Sequence, residues 1–206
     1  MTDDHIIRDL ERLEALYGEV NEVSALKEVG YLHPVYAAFV KTSPFAILAT
    51  TGPHGLDASP RGDAPGFVEI VDDKTLLLAD RRGNNRIDSL RNILSDPHVA
   101  LLFLIPGIGE TLRVNGTAEI SVDPQLLERF TIGDKPPRTM LVIHIESVFF
   151  QCSRALIRSE LWNPDKHVPR SALPSTGQML AAVTQDRIDA ETYDRELPPR
   201  LKATLY

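Results

Sequence analysis

The sequence predicts a mostly β protein with peripheral α-helices, built on an antiparallel barrel. Three observations point there. Short apolar segments come in pairs separated by turn residues, the pattern of hairpins. One segment alternates strictly: Leu112, Val114, Gly116 and Ala118 interleave with Arg113, Asn115, Thr117 and Glu119, so one face is dry and the other wet. The connections inside the pairs are too short to hold the crossover helices of a parallel sheet. Six or seven strands with one helix inserted among them suggest a closed barrel with helices outside.

The elements follow in order. Residues 5–17 set Ile6, Ile7, Leu10, Leu13 and Leu16 at helical spacing, with Gly18 as the stop. Packing on the barrel is the default for such a helix; a partner-binding element is the alternative. A second helix over 33–42 opens at Pro34 and ends before Pro44. Phe45 to Thr51 reads as a buried strand, the Gly52–Gly55 segment as a turn, and Leu56 to Arg61 as the return strand. Val68 to Val71 and Thr75 to Ala79 flank Asp72-Asp73-Lys74 as a second hairpin. A helix over 85–95 carries Ile87, Leu90, Ile93 and Leu94, and Asn85 is its expected cap with Asp88 three residues on. Val99 to Ile105 and Glu110 to Ile120 form a third hairpin around Pro106-Gly107-Ile108-Gly109. A short helix over 123–131 is capped by Asp123, and Met140 to Phe150 is a strongly apolar strand. Ser153 to Ser159, Gln178 to Thr184 and Arg187 to Arg195 read as helices, and the end RELPPRLKATLY reads as irregular.

Composition narrows the function classes. The chain has 206 residues, enough to bury a real core as one domain. With 29 acidic against 22 basic residues its net charge is −7, which argues against nucleic acid and anionic membranes as partners. The lone cysteine, Cys152, excludes an intrachain disulfide and a multi-cysteine zinc site; it reads as a buried structural thiol, with a thiol near a ligand or interface as the alternative. No apolar run has membrane-spanning length, and the start MTDDHIIRDLERLE is too charged for a signal peptide, so a cytoplasmic location is expected.

The richest stretch for function is TLLLADRRGNNRIDSLRNILSDPHVALLFL, residues 75–104. A buried strand breaks into Asp80-Arg81-Arg82-Gly83-Asn84-Asn85-Arg86 and leads to a helix N-terminus inside an acidic protein. Free N–H groups, the positive helix end and Arg forks all attract phosphate. Ordinary turn chemistry explains Gly and Asn here, and solvated surface explains one or two of the arginines; three in six residues tip the reading toward an anion. A second loop, Ala58-Ser59-Pro60-Arg61-Gly62-Asp63-Ala64-Pro65-Gly66-Phe67, offers a donor in Arg61, an acceptor in Asp63, and glycines that admit close approach to the backbone. Its alternative is a surface loop with an Arg–Asp pair. His33, His54, His98, His144 and His167 lack metal-ligand spacing, and His144, in an apolar strand, reads as a core histidine. Arg154 and Arg158 share one helical face, either solvated or turned toward a partner or substrate. Ser59 has no nucleophile-elbow context.

The order FAILATTGPHGLDASPRGDAPGFV, TLLLADRRGNNRIDSLRNILSDPHVALLFL, ETLRVNGTAEI resembles the pyridoxamine 5'-phosphate oxidase-like proteins that bind FMN, from about Pro44 to Trp162. The resemblance implies a split antiparallel β-barrel with flanking helices, of the FMN-binding split-barrel type. It implies one such domain over 1–206, with an N-terminal helical segment 1–43, a barrel core 44–152 and a C-terminal helical and irregular segment 153–206. It implies a homodimer with FMN at the interface. Arg81 and its neighbours in the basic turn (Asp80, Arg82, Asn84, Asn85, Arg86) would bind the FMN phosphate, and Ser59, Arg61, Gly62 and Asp63 would line the isoalloxazine. Glu110, Thr111 and Arg113 fall on the family's flavin-contacting strand, and Trp162 falls where an aromatic approaches from the other chain. Arg61 near the pyrimidine edge would stabilise reduced flavin, the cofactor carrying the redox chemistry and no residue acting as a covalent catalyst. RELPPRLKATLY does not match the basic C-terminal motif with which the true oxidase grips its substrate. The function implied is therefore an FMN-dependent oxidoreductase acting on a small-molecule substrate. The alternative is a flavin- or haem-binding carrier or sensor, with His98 or His144 as iron ligands.

Overall fold

The computed structural model describes residues 5–53 and 55–206; residues 1–4 and His54 lie outside them. Seven antiparallel strands make one curled sheet in the order β2-β1-β5-β6-β7-β4-β3. They are β1 (Phe45–Gly52), β2 (Gly55–Gly62), β3 (Val68–Ile70), β4 (Thr75–Asp80), β5 (His98–Leu104), β6 (Thr111–Ser121) and β7 (Thr139–Gln151). The edges β2 and β3 stay unpaired with each other. The sheet is thus a split half-barrel with flanking helices rather than a closed one.

Register explains which side chains meet. Ala46, Leu48 and Thr50 of β1 stand opposite Phe103, Leu101 and Val99 of β5 on one side and opposite Arg61, Ser59 and Asp57 of β2 on the other. Paired residues share a face. The inner face therefore begins as hydrocarbon in the middle of the sheet and ends as polar groups on the β2 edge. Leu48, Leu76, Leu101, Phe103, Leu112 and Ile143 are fully buried in the core. Helices α3 (Pro34–Thr42) and α4 (Asp88–Ser95) contribute Val40 and Ile93 to it. On the other face α5 (Pro124–Arg129) brings Leu126 and Leu127, with Phe130 just beyond, against Leu77, Ala79 and Met140. The β6–β7 register shifts between Asn115 and Gly116, where a Cβ would collide with the His144 carbonyl oxygen.

Several expectations change. The first helix, α1, runs only over Leu10–Tyr17, capped by Asp9, and none of its residues is buried. Its apolar stripe, Leu10, Leu13 and Leu16, lies exposed instead of packing on the barrel. A short helix α2 (Glu22–Leu26), capped by Asn21, was not expected. Asn85 does not cap α4: the helix starts at Asp88, behind a left-handed Ile87 that makes no side-chain cap. His144 is exposed rather than a core residue, because Ile143 and Ile145 take the inner positions of β7. Cys152 is exposed, one residue past the end of β7.

Beyond β7 come α6 (Arg154–Ser159), α7 (Thr176–Thr184) and α8 (Ala190–Ala203). α8 continues through Pro198 and Pro199, where an irregular end was expected. The two prolines remove two backbone donors without ending it, and α7 anchors its first turns. The Gly177 N–H donates to the Asp194 carboxylate at 2.7 Å, and the absence of a Cβ at Gly177 admits the Ala190 carbonyl. Among the described residues no helix is long and apolar enough to cross a membrane.

Candidate functional site

A cleft of about 930 Å3 opens where the curled sheet fails to close. One wall is β2 from Asp57 to Gly62, with Asp63 just beyond it; the other is the end of β4, the basic turn and the start of α4; Arg138, Thr139, Leu205 and Tyr206 close the rim. The walls meet through a half-buried network centred on Arg61. Arg61 Nη1 donates to Asp80 Oδ1 at 2.9 Å, and both side chains are 19% exposed. Arg61 Nη2 donates to Ser89 Oγ at 3.2 Å, and Ser89 in turn donates to Asp57 Oδ2 at 2.6 Å. Arg61 Nε is buried without a hydrogen-bond partner. Period-two spacing in β2 puts Asp57, Ser59 and Arg61 on the face turned to the cleft.

The basic turn is largely self-neutralised. Arg81 Nε lies 3.4 Å from Asp63 Oδ2, and its Nη1 donates to the Phe130 carbonyl at 2.6 Å. Tyr206 stacks near Arg81, with 5.8 Å from guanidinium carbon to ring centre, and its hydroxyl donates to Asp63 Oδ1 at 2.8 Å. The hydrogen bond to Asp63 and the negative charge of that carboxylate push the Tyr206 phenol up from its ordinary range. Arg86 pairs with Asp88 at 2.8 Å on the surface. Asn84 accepts from the Arg86 N–H, and Asn85, in the left-handed region with φ 59°, accepts from Arg138 Nη1 at 3.1 Å. Arg82 is exposed. A smaller lobe of about 150 Å3 adjoins the cleft between Arg81 and Arg82 on one side and the segment 135–138 with Tyr206 on the other.

The cleft collects Ser59, Arg61, Gly62, Asp63, Asp80, Arg81, Arg82, Asn84, Asn85 and Arg86. Glu110, Thr111, Arg113 and Trp162 stand elsewhere in the same chain. Thr111 Oγ1 donates to Gln151 at 3.2 Å, Arg113 stacks 4.2 Å from the Phe149 ring, and the Trp162 indole N–H donates to the Ile108 carbonyl at 2.8 Å. Arg154 and Arg158 are exposed on α6. His98 and His144 do not line the cleft, and among the described residues no group of three His, Cys, Asp or Glu side chains is placed to hold a metal ion. Sequence reasoning missed Asp57, Ser89, Lys135, Arg138 and Tyr206. Period-two spacing from Arg61 was a usable signal for Asp57. Lys-Pro-Pro-Arg was a usable signal for Lys135 and Arg138, a stiff arm with a cation at each end. Ser89 and Tyr206 carried none.

A family model described as pyridoxamine 5'-phosphate oxidase matches residues 32–152, more than half of the chain. No curated protein matches it. Among solved structures, the chain is similar to HupZ from Group A Streptococcus (22% identity, 56% of this chain and 90% of that one, TM-score 0.46). It is similar to General Stress Protein 26 from Bacillus anthracis (16%, 55% and 88%, TM-score 0.42). It is also similar to an FMN-binding protein from Syntrophomonas wolfei (12%, 68% and 95%, TM-score 0.42).

Proposed function

The chain belongs to the pyridoxamine 5'-phosphate oxidase family, and on that premise we propose that it binds FMN in the cleft and works in the cytoplasm as an FMN-dependent oxidoreductase on a small-molecule substrate. One observation carries the reading: the split between β2 and β4 holds a half-buried donor network centred on Arg61 at one place and a cluster of cations at another. The residues present fit the cofactor. Its dianionic phosphate needs cations, its pyrimidine edge needs donors, and the flat ring needs an apolar wall. The cleft supplies arginines, the unpartnered Arg61 Nε, and Phe67, Leu78, Ala79 and Leu90.

Bound FMN supplies hydride or single-electron transfer. The chain's own work is to bind and orient. Arg61 holds positive charge for the pyrimidine edge, while Asp80 and Ser89 fix the guanidinium from two sides. Gly62 carries no Cβ, which would stand 3.2 Å from the Pro44 carbonyl oxygen and 3.5 Å from the Phe45 ring. The reading includes a homodimer. Ile47, Ala49, Ala100 and Leu102 form a half-buried apolar strip on the outer face of β1 and β5, suited to a second copy. On this reading Glu110, Thr111, Arg113 and Trp162 serve the partner's flavin.

Titration of the purified protein with FMN tests the proposal. The expected result is a saturable, perturbed flavin spectrum, a dimer by light scattering, and reduction of the bound flavin by a reduced nicotinamide or deazaflavin donor with reoxidation by oxygen. A protein that leaves the FMN spectrum unchanged at high concentration sinks the cofactor assignment. A bound flavin inert to every donor and to oxygen sinks the oxidoreductase and leaves a carrier.

A further inference from the structure

The segment that follows α8 folds back onto the cleft. Tyr206 lies between the end of β2 and the basic turn: its hydroxyl donates to Asp63 Oδ1 at 2.8 Å, and its ring centre sits 5.8 Å from the Arg81 guanidinium carbon. Asp63 and Arg81 pair with each other at 3.4 Å, so one side chain touches both members of one ion pair. A third tie comes from the connection between α5 and β7, where Lys135 Nζ donates to the Tyr206 main-chain oxygen at 3.0 Å. Tyr206 lines both the cleft and the smaller lobe and stands at the partition between them. We propose that residues 204–206 form a displaceable plug: Tyr206 competes with the cleft's anionic ligand for Arg81 and must swing out before that ligand seats fully. The inference adds a regulatory contact to the FMN reading and rests on that reading for the identity of the ligand.

The geometry makes Tyr206 the part that moves. Asp63 and Arg81 directly follow β2 and β4, and Phe130 follows α5, which packs on the sheet. Tyr206 is joined instead to α8, whose first turns are anchored on α7. Leu205 beside it lines the cleft yet is 65% exposed, so little hydrocarbon burial resists its departure. Release strands no charge: Asp63 and Arg81 keep each other, and Arg81 keeps the Phe130 carbonyl. A cation–π contact and a hydrogen bond to a carboxylate together bias the seated state by ~10-fold or more. A ligand that needs the released state has its apparent affinity lowered by the same factor.

The test reads FMN binding by quenching of flavin fluorescence. It reads Tyr206 itself by fluorine NMR of protein labelled with fluorotyrosine, the resonance being identified by its loss in Tyr206→Phe. Tyr206→Ala is expected to tighten FMN by ~10-fold, mainly through faster association, a gain that a misfolded variant cannot produce. Tyr206→Phe keeps the ring over Arg81 and loses the hydroxyl, and its affinity is expected to fall between those of the wild type and Tyr206→Ala. In the wild type the Tyr206 resonance is expected to move to the position of solvent-exposed fluorotyrosine as FMN saturates. FMN affinity unchanged or weakened in Tyr206→Ala, or a Tyr206 resonance that stays in place at saturation, overturns the plug and leaves the FMN reading standing. If neither protein binds FMN, the FMN reading falls, and inorganic phosphate titrated against the same resonance decides the plug: displacement upholds it and a fixed resonance overturns it.

Discussion

The contact between Arg61 and Asp80 joins the two walls of the cleft, so its removal should be felt in folding as well as in binding. At 2.9 Å, with both side chains four-fifths buried, it lies between a surface pair and a fully buried one. Exposed pairs contribute about 0.2–1 kcal/mol, and stranding one partner of a buried pair costs about 3–5 kcal/mol. One fifth of each side chain is wet, and Ser89 still accepts from the guanidinium when Asp80 is lost. Asp80→Asn should therefore cost about 1.5–3 kcal/mol, a fall in Tm of about 3–12 °C for a chain of this size. Arg61→Met keeps the apolar stem and should cost a similar amount by stranding Asp80. The double variant should cost less than the two singles together, with a coupling of about 1–2 kcal/mol. Urea unfolding of the four proteins, with m-values checked for constancy, measures this cycle. Singles that each cost under about 0.5 kcal/mol and simply add, as exposed pairs do, would show that the walls do not communicate through this contact, and the positioning of Arg61 would lose its basis.

Two other predictions concern the rest of the fold. Gly116→Ala places a Cβ against the main chain of β7 at the register shift, where the carbonyl carbon of His144 would be 2.9 Å away and no flexible side chain can yield. A loss of more than about 2 kcal/mol by thermal or urea unfolding is expected, in the upper range for single substitutions; a neutral result would mean that the bulge relaxes freely. His98, bound to Asp96 at 2.6 Å, has its imidazole raised above the ordinary 6.5, first through that hydrogen bond and then through the carboxylate charge. Because the folded value is the higher one, the stabilisation is fully present below the unfolded pKa and is lost as pH rises through the folded value. Asp96 is shifted down by the same contact, so its share is present above the ordinary carboxylate range and fades in acid. NMR titration should show His98 above its ordinary range and Asp96→Asn should return it there; an unmoved midpoint refutes the pair.

Much of the fold was legible one residue at a time. Period-two alternation in residues 111–120, apolar blocks at 45–51, 75–79 and 140–150, and turn residues between them marked the strands within a residue or two. Local pattern suffices there, because a strand with one dry face has only one register that buries it. The failures have a common origin. α1 shows a helical apolar stripe yet buries nothing, since whether a stripe is covered depends on what other elements already occupy the core. Asn85 looked like a cap, but the Arg138 contact draws its amide to another part of the chain. The prolines of α8 looked like an end, yet the helix, anchored on α7 in its first turns, runs through both.

The cleft shows the same division most plainly. Composition and spacing alone identified Arg61 and the arginines of the basic turn as charge gathered beside glycines, and that much needed no coordinates. Which of those charges remain available for a ligand was settled by folding. Asp80, Asp63 and Asp88 neutralise three arginines, and a connection some fifty residues downstream brings Lys135 and Arg138 to the rim. Ion pairing falls off within a few ångströms. It is therefore a property of distances in space, and neighbours along a chain reveal it only when they are also neighbours in the fold.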